Sequence, residues 1–271
     1  MNPSFPTPRR LVPWSRIALL ASALTLVSAP ARAQLAIDRG EMELRATGDA
    51  QARTGVLIVR NDSKLRVQGV VVLEDWDRAP DGANRFHTTG TLPHSCAPDL
   101  RVFPATMSLA PGESQSIRVE YTGTERAAEC TSLVVVEEAR GSAARNSGVT
   151  INTRMGLKVY VTPSSSEPGG EVTDLTVAPP AAAGGASTLT VTYRNDGNKH
   201  VMAKGRLEIR REDNSVVTTV DLPSVYALPG AVMQTKAPLP SLPVGKYLLL
   251  AIYDFGGSEL AAGQLEHEVR P

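Results

Sequence analysis

The side chains best placed for chemistry lie in one stretch near the middle of the chain. From Val149 to Val161 the odd positions read Val149, Ile151, Thr153, Met155, Leu157, Val159 and Val161, while the even ones include Arg154, Gly156, Lys158 and Tyr160. Period-two alternation is the pattern of a β-strand with one apolar face, and it puts the cations Arg154 and Lys158 together on the other face. At about 3.3 Å per residue the segment spans roughly 40 Å, longer than a sandwich requires. One end of such a strand completes its own sheet. The other is suited to offering apolar side chains and an unpaired backbone edge to a partner chain. The same pattern also fits an ordinary last strand whose apolar face lies in the core.

Catalytic and metal-binding patterns are sparse. The chain has no G-x-S-x-G, no H-E-x-x-H and no C-x-x-C, and Gly245-Lys246 lacks the glycines of a phosphate-binding loop. Asp75, Asp77 and Asp81-Gly82 loosely suggest a calcium loop, but Phe86 stands where the bidentate glutamate is needed, so the segment reads as an acidic turn. Trp76 within it reads as a packing anchor. Cys96 and Cys130 are the two cysteines. An even count in an oxidising compartment suggests one disulfide. The alternatives are two buried thiols, or a metal site drawing on His94 and His87. The expectation is a protein with no catalytic residue, no metal and no cofactor.

The elements that must position these groups begin after an export signal. Residues 1–33 carry Arg9, Arg10 and Arg16 with no acidic residue, then an apolar run from Ile17 to Ala29, then Ala31-Arg32-Ala33. A basic start, a short apolar middle and an A-x-A end describe a cleaved secretory signal peptide rather than an anchor. Its removal takes four of the 28 basic residues and none of the 28 acidic ones, leaving a net charge of −4. No later apolar stretch is long enough to span a bilayer, so membrane insertion of the mature chain is not expected. Balanced charge argues against a nucleic-acid partner.

Few windows carry helical periodicity; most alternate with period two between turn signals. Strands are expected near Leu35–Leu44, Gly55–Arg60, Leu65–Asp75, Ser114–Tyr121, Ser132–Glu138 and Val149–Val161. Others follow near Val172–Val177, Thr188–Tyr193, Gly205–Arg210, Val216–Leu222, Gly230–Ala237, Tyr247–Tyr253 and Leu260–Val269. Pro163 to Gly170 reads PSSSEPGG, a linker composition. The fold class is all-β, two immunoglobulin-like β-sandwiches in tandem. The first occupies residues 34–163, the linker 164–170, and the second 171–271.

Four groups of residues carry a resemblance. They are Ile37-Asp38-Arg39; Pro104 with Leu109-Ala110-Pro111-Gly112 and Gln115-Ser116-Ile117-Arg118; Glu129 to Leu133 with Glu137-Glu138; and Lys158-Val159-Tyr160-Val161-Thr162-Pro163. Together they make residues 35–163 similar to the N-terminal domain of the periplasmic pilus-assembly chaperones, the PapD-like family. The resemblance implies a periplasmic chaperone that stabilises pilin-type fibre subunits by donor-strand complementation. Its partners would be those subunits and an outer-membrane usher. It also implies that Lys158 anchors the subunit's C-terminal carboxylate and that Val149, Ile151 and Thr153 are the donor positions, Thr153 replacing a large aliphatic residue. The family's second anchor is an arginine, and an ungapped reading puts Glu41 there. Arg39 then serves if the strand is shifted, or Arg154 if the even face of the last strand provides both cations. The alternative function is a secreted structural or adhesive protein of two immunoglobulin-like modules.

Overall fold

The computed structural model describes residues 35–139, 154–182 and 184–270. The segment expected to be a signal peptide and the expected donor positions Val149, Ile151 and Thr153 lie outside the described residues. The first sandwich is built from β1 (Leu35–Ile37), β2 (Glu41–Arg45), β3 (Thr54–Asn61), β4 (Val67–Arg78), β5 (Asn84–His87), β6 (Leu100–Phe103), β7 (Thr106–Leu109), β8 (Ser114–Tyr121), β9 (Cys130–Glu138) and β10 (Arg154–Thr162). One sheet runs β1-β3-β8-β6; the other runs β2-β10-β9-β4-β5, with β7 also pairing β4. The second sandwich has β11 (Glu171–Ala178), β12 (Thr188–Arg194), β13 (Val201–Arg211), β14 (Val216–Ala227), β15 (Val232–Pro238), β16 (Gly245–Asp254) and β17 (Ala261–Val269). Its sheets run β11-β12-β15 and β14-β13-β16-β17. The all-β, two-sandwich expectation agrees with this architecture.

Alternation decides which side chains enter the cores. Leu57 and Val59 of β3 and Ile117 and Val119 of β8 face Leu44, Leu157, Val159, Val161, Val134 and Val136 across the first sandwich, all of them buried. Each such side chain contributes roughly 1.5–3 kcal/mol relative to leaving it in water. The expected strand Leu35–Leu44 is two strands in different sheets. Buried Leu35 sits at an odd position, whereas buried Met42 and Leu44 sit at even ones, so the chain must change parity between them. It does so at Asp38-Arg39-Gly40, where the Asp38 carboxylate accepts the backbone N–H of Ile58 at 2.9 Å. Short strands β5, β6 and β7 were not expected, since four residues are too few to carry a periodic signal.

Cys96 and Cys130 form a disulfide, with a Cα–Cα distance of 5.3 Å. It ties the start of β9 to the loop after β5. His94 and His87, weighed as metal ligands, are placed elsewhere: His87 Nε2 lies 3.0 Å from an Asp77 oxygen and His94 Nε2 3.4 Å from the Trp76 carbonyl. Among the described residues no group of three or more His, Cys, Asp or Glu side chains is arranged to hold a metal ion, and no helix is long and apolar enough to cross a membrane. The acidic turn uses its carboxylates internally. Buried Asp75 accepts the Leu92 N–H and the Ser95 hydroxyl, and Asp77 pairs with Arg85.

Candidate groove and joint

The last strand of the first sandwich has two different sides. On one side β10 pairs antiparallel with β9, from Arg154↔Glu137 to Val161↔Cys130. On its other side β2 pairs in parallel, but only from Lys158↔Glu41 to Thr162↔Arg45. Arg154 to Leu157 therefore present a backbone edge with which no described strand pairs. The break has a local cause. The chain arrives from the other sheet through Gly40, whose carbonyl accepts the Lys158 N–H at 2.9 Å, and β2 starts at that point.

Leu157, Val159 and Val161 point into the core, so the even side chains face outward. Arg154, Gly156 and Lys158 line a groove of about 470 Å³ with Glu41, Trp76, Asn84, Phe86, Leu133 and Val135. Gly156 lets Leu133 pack closely on the groove floor, because a Cβ there would lie 3.0 Å from the Leu133 side chain. Phe86 on β5 is 56% exposed beside it. Further along the same face, Tyr160 enters a buried aromatic cluster with Trp76, Leu133 and Val135 of the first sandwich and Tyr226 and Leu228 of the second. Trp76 thus serves as the packing anchor expected of it.

Lys158 lies between groove and cluster. Its ammonium sits 4.8 Å from the Trp76 ring centroid and 5.1 Å from that of Tyr226, and 3.5 Å from a Glu41 carboxylate oxygen. Two aromatic faces favour a cation electrostatically. Arg154 is engaged by Glu137 at 2.6 Å and by Glu74. The Glu137 hydrogen bond is the largest cause raising the Arg154 pKa above its ordinary value, against the opposing effect of burial. The sheet thus brings Arg154 and Lys158 to one groove. Arg39 is not among the lining residues; its guanidinium pairs with the neighbouring Asp38 at 3.0 Å. Glu41, not Arg39, is the side chain beside Lys158, because the parallel register sets Glu41 opposite it.

The joint between the sandwiches contains residues that sequence reasoning missed. Glu129, just before β9, is fully buried. Both its carboxylate oxygens contact His200 Nδ1, at 3.0 and 2.9 Å, and one accepts the His200 backbone N–H at 3.1 Å. The His200 ring stacks on Tyr160 with centroids 4.2 Å apart. The Tyr160 and Tyr226 hydroxyls hydrogen-bond each other. Burial first, and the neighbouring Tyr226 second, push the Tyr160 hydroxyl far above the usual tyrosine value. Asn198 fastens the connecting segment: its Nδ2 donates to Ala127 O at 3.2 Å and to Ser165 O at 2.8 Å, and its Oδ1 accepts from Glu167 N at 2.7 Å. No sequence signal linked Glu129 to His200, which are 71 residues apart.

No protein-family model and no curated protein matches the chain. Solved structures do. A chain from a chaperone–tip adhesin complex of CFA/I fimbriae biogenesis aligns with a TM-score of 0.52 and 14% identity, over 88% of this chain and 100% of that one. The class 5 fimbriae chaperone CfaA aligns with a TM-score of 0.47 and 15% identity, over 88% and 99%. The Escherichia coli chaperone DraB aligns with a TM-score of 0.45 and 17% identity, over 87% and 98%. At these identities the likeness is one of fold, and the fold this chain shares is that found in a chaperone–tip adhesin complex of fimbrial biogenesis.

Proposed function

We propose that this protein is a periplasmic chaperone that holds pilin-type fibre subunits by strand addition until they are assembled through an outer-membrane usher. The observation that carries the reading is the edge of Arg154 to Leu157, with which no strand among the described residues pairs on the side away from β9, directly continuous in sequence with the alternating residues Val149, Ile151 and Thr153. A strand added there supplies backbone hydrogen bonds, each with a net worth of about 0.5–1.5 kcal/mol, without reading the partner's sequence. Its apolar donor contacts are assigned to Val149, Ile151 and Thr153.

The position of β2 supports one direction for the added strand. β2 runs parallel to β10 and begins at Glu41, opposite Lys158. An added strand running parallel to β10 is collinear with β2, and its C-terminus halts where β2 starts. That places a terminal carboxylate beside the Lys158 ammonium, the charge-assisted contact that orients the subunit. Arg154, already engaged by Glu74 and Glu137, lines the approach. The likeness of fold to a chaperone–tip adhesin complex supports the same reading.

Co-expression with a pilin-type subunit followed by affinity capture tests it. Lys158→Ala and Ile151→Asp should each reduce recovery of the complex at least tenfold. Undiminished recovery with both would refute the mechanism. Periplasmic fractionation should recover the mature chain there, rather than at the cell surface or in the medium.

A further inference from the structure

Both groove cations have carboxylate partners among the described residues. Arg154 is shared by Glu74 and Glu137, and Lys158 has Glu41. The two ends of the second pair differ in freedom. Lys158 is only 22% exposed, seated against the Trp76 and Tyr226 rings, whereas Glu41 is 57% exposed. The lysine is therefore fixed, and the glutamate is free to swing into solvent. Glu41 is nevertheless held close by the parallel register, which sets it opposite Lys158.

From this geometry we infer that Glu41 is a specificity-determining residue that competes with the incoming C-terminal carboxylate for Lys158. The inference rests on the strand-addition reading above and deepens it. In the free protein Glu41 balances the Lys158 charge. On binding, the terminal carboxylate replaces it, so one anion is exchanged for another and the net gain is small. The exchange makes the site permissive for release: affinity for the carboxylate is set by the difference between two ion pairs, not by one. A neutral or blocked C-terminus has no anion to exchange and gains nothing from the removal of Glu41.

Two probes separate the possibilities. One is an acetylated peptide of alternating valine and threonine ending in a free carboxylate; the other is the same peptide amidated. Binding of each to the full mature chain and to Glu41→Gln and Glu41→Asp is measured by calorimetry or fluorescence anisotropy. Glu41→Gln should bind the carboxylate peptide roughly fivefold more tightly, the effect expected from freeing one partly exposed ion pair. It should leave the amidated peptide unchanged, and Glu41→Asp, which keeps the charge, should stay near the parent. Raised salt should shrink the fivefold difference. No gain with Glu41→Gln, or an equal gain for both peptides, overturns the inference while leaving strand addition intact. Failure of the carboxylate peptide to bind any of the three proteins overturns the strand-addition reading itself.

Discussion

Removing the His200 ring should loosen the joint between the sandwiches. Glu129 is fully buried, and its carboxylate has the His200 Nδ1 at 2.9 Å and the His200 backbone N–H at 3.1 Å. An ionised carboxylate has only acceptors, so Nδ1 carries the proton between them. His200→Ala leaves the backbone donor and deletes the ring. A hydrogen bond to a buried charged group contributes about 1.5–3 kcal/mol, and the stacking on Tyr160, with centroids 4.2 Å apart, about 0.5–1.5 kcal/mol beyond its area. The expected loss is therefore about 2–4 kcal/mol. Glu129→Gln keeps an acceptor for the backbone N–H and removes the buried charge, so it should cost about 1 kcal/mol. The double variant should fall short of the sum, with a coupling energy of at least about 1 kcal/mol. Trp76 packs against Tyr160 and Tyr226 in the same cluster, so its fluorescence during denaturant unfolding reports on this joint. A His200→Ala loss below about 0.5 kcal/mol, or strict additivity, would refute the assignment of the pair as the fastening of the joint.

Two further outcomes are expected. The hydrogen bond from Arg85 is the largest cause holding the Asp77 carboxyl below its ordinary value; burial opposes it and His87 assists. Asp77 therefore contributes stability that is present above the unfolded-state value of about 3.9 and lost as pH falls below it through the depressed folded value. Asp77→Asn should flatten the acid side of a plot of unfolding midpoint against pH, and an unchanged acid limb would count against this pairing. Replacing Cys96 and Cys130 together by alanine opens a crosslink between residues 34 apart in sequence. The chain-entropy model gives a loss of about 4 kcal/mol, measurable by equilibrium unfolding in the absence of reductant.

Legibility in the sequence followed locality. Met155 to Val161 could be assigned to inward and outward faces directly, because alternation is a property of one strand and its Cβ geometry; Leu157, Val159 and Val161 are buried accordingly. The break inside Leu35–Leu44 shows in the change of buried parity between Leu35 and Met42, because the two strands lie in different sheets. Hairpin strand β5 left none, and with it went Phe86 and one wall of the groove. Arg39 was weighed as an anchor because of its charge and position in sequence; its closest neighbour, Asp38, takes that charge.

Strand character, the two-sandwich layout and the presence of cations on the outward face of the last strand were determined by the sequence alone, and the even cysteine count suggested the disulfide, since each depends on residue type, count or short-range spacing. Three things were decided only in the folded chain. They are where β2 begins along β10, which puts Glu41 rather than Arg39 beside Lys158; the seating of that lysine between Trp76 of β4 and Tyr226 of β14; and the union of Glu129 with His200. Each is a contact between segments far apart in the chain, and strand register is fixed by how whole faces pack, not by any residue's own preference.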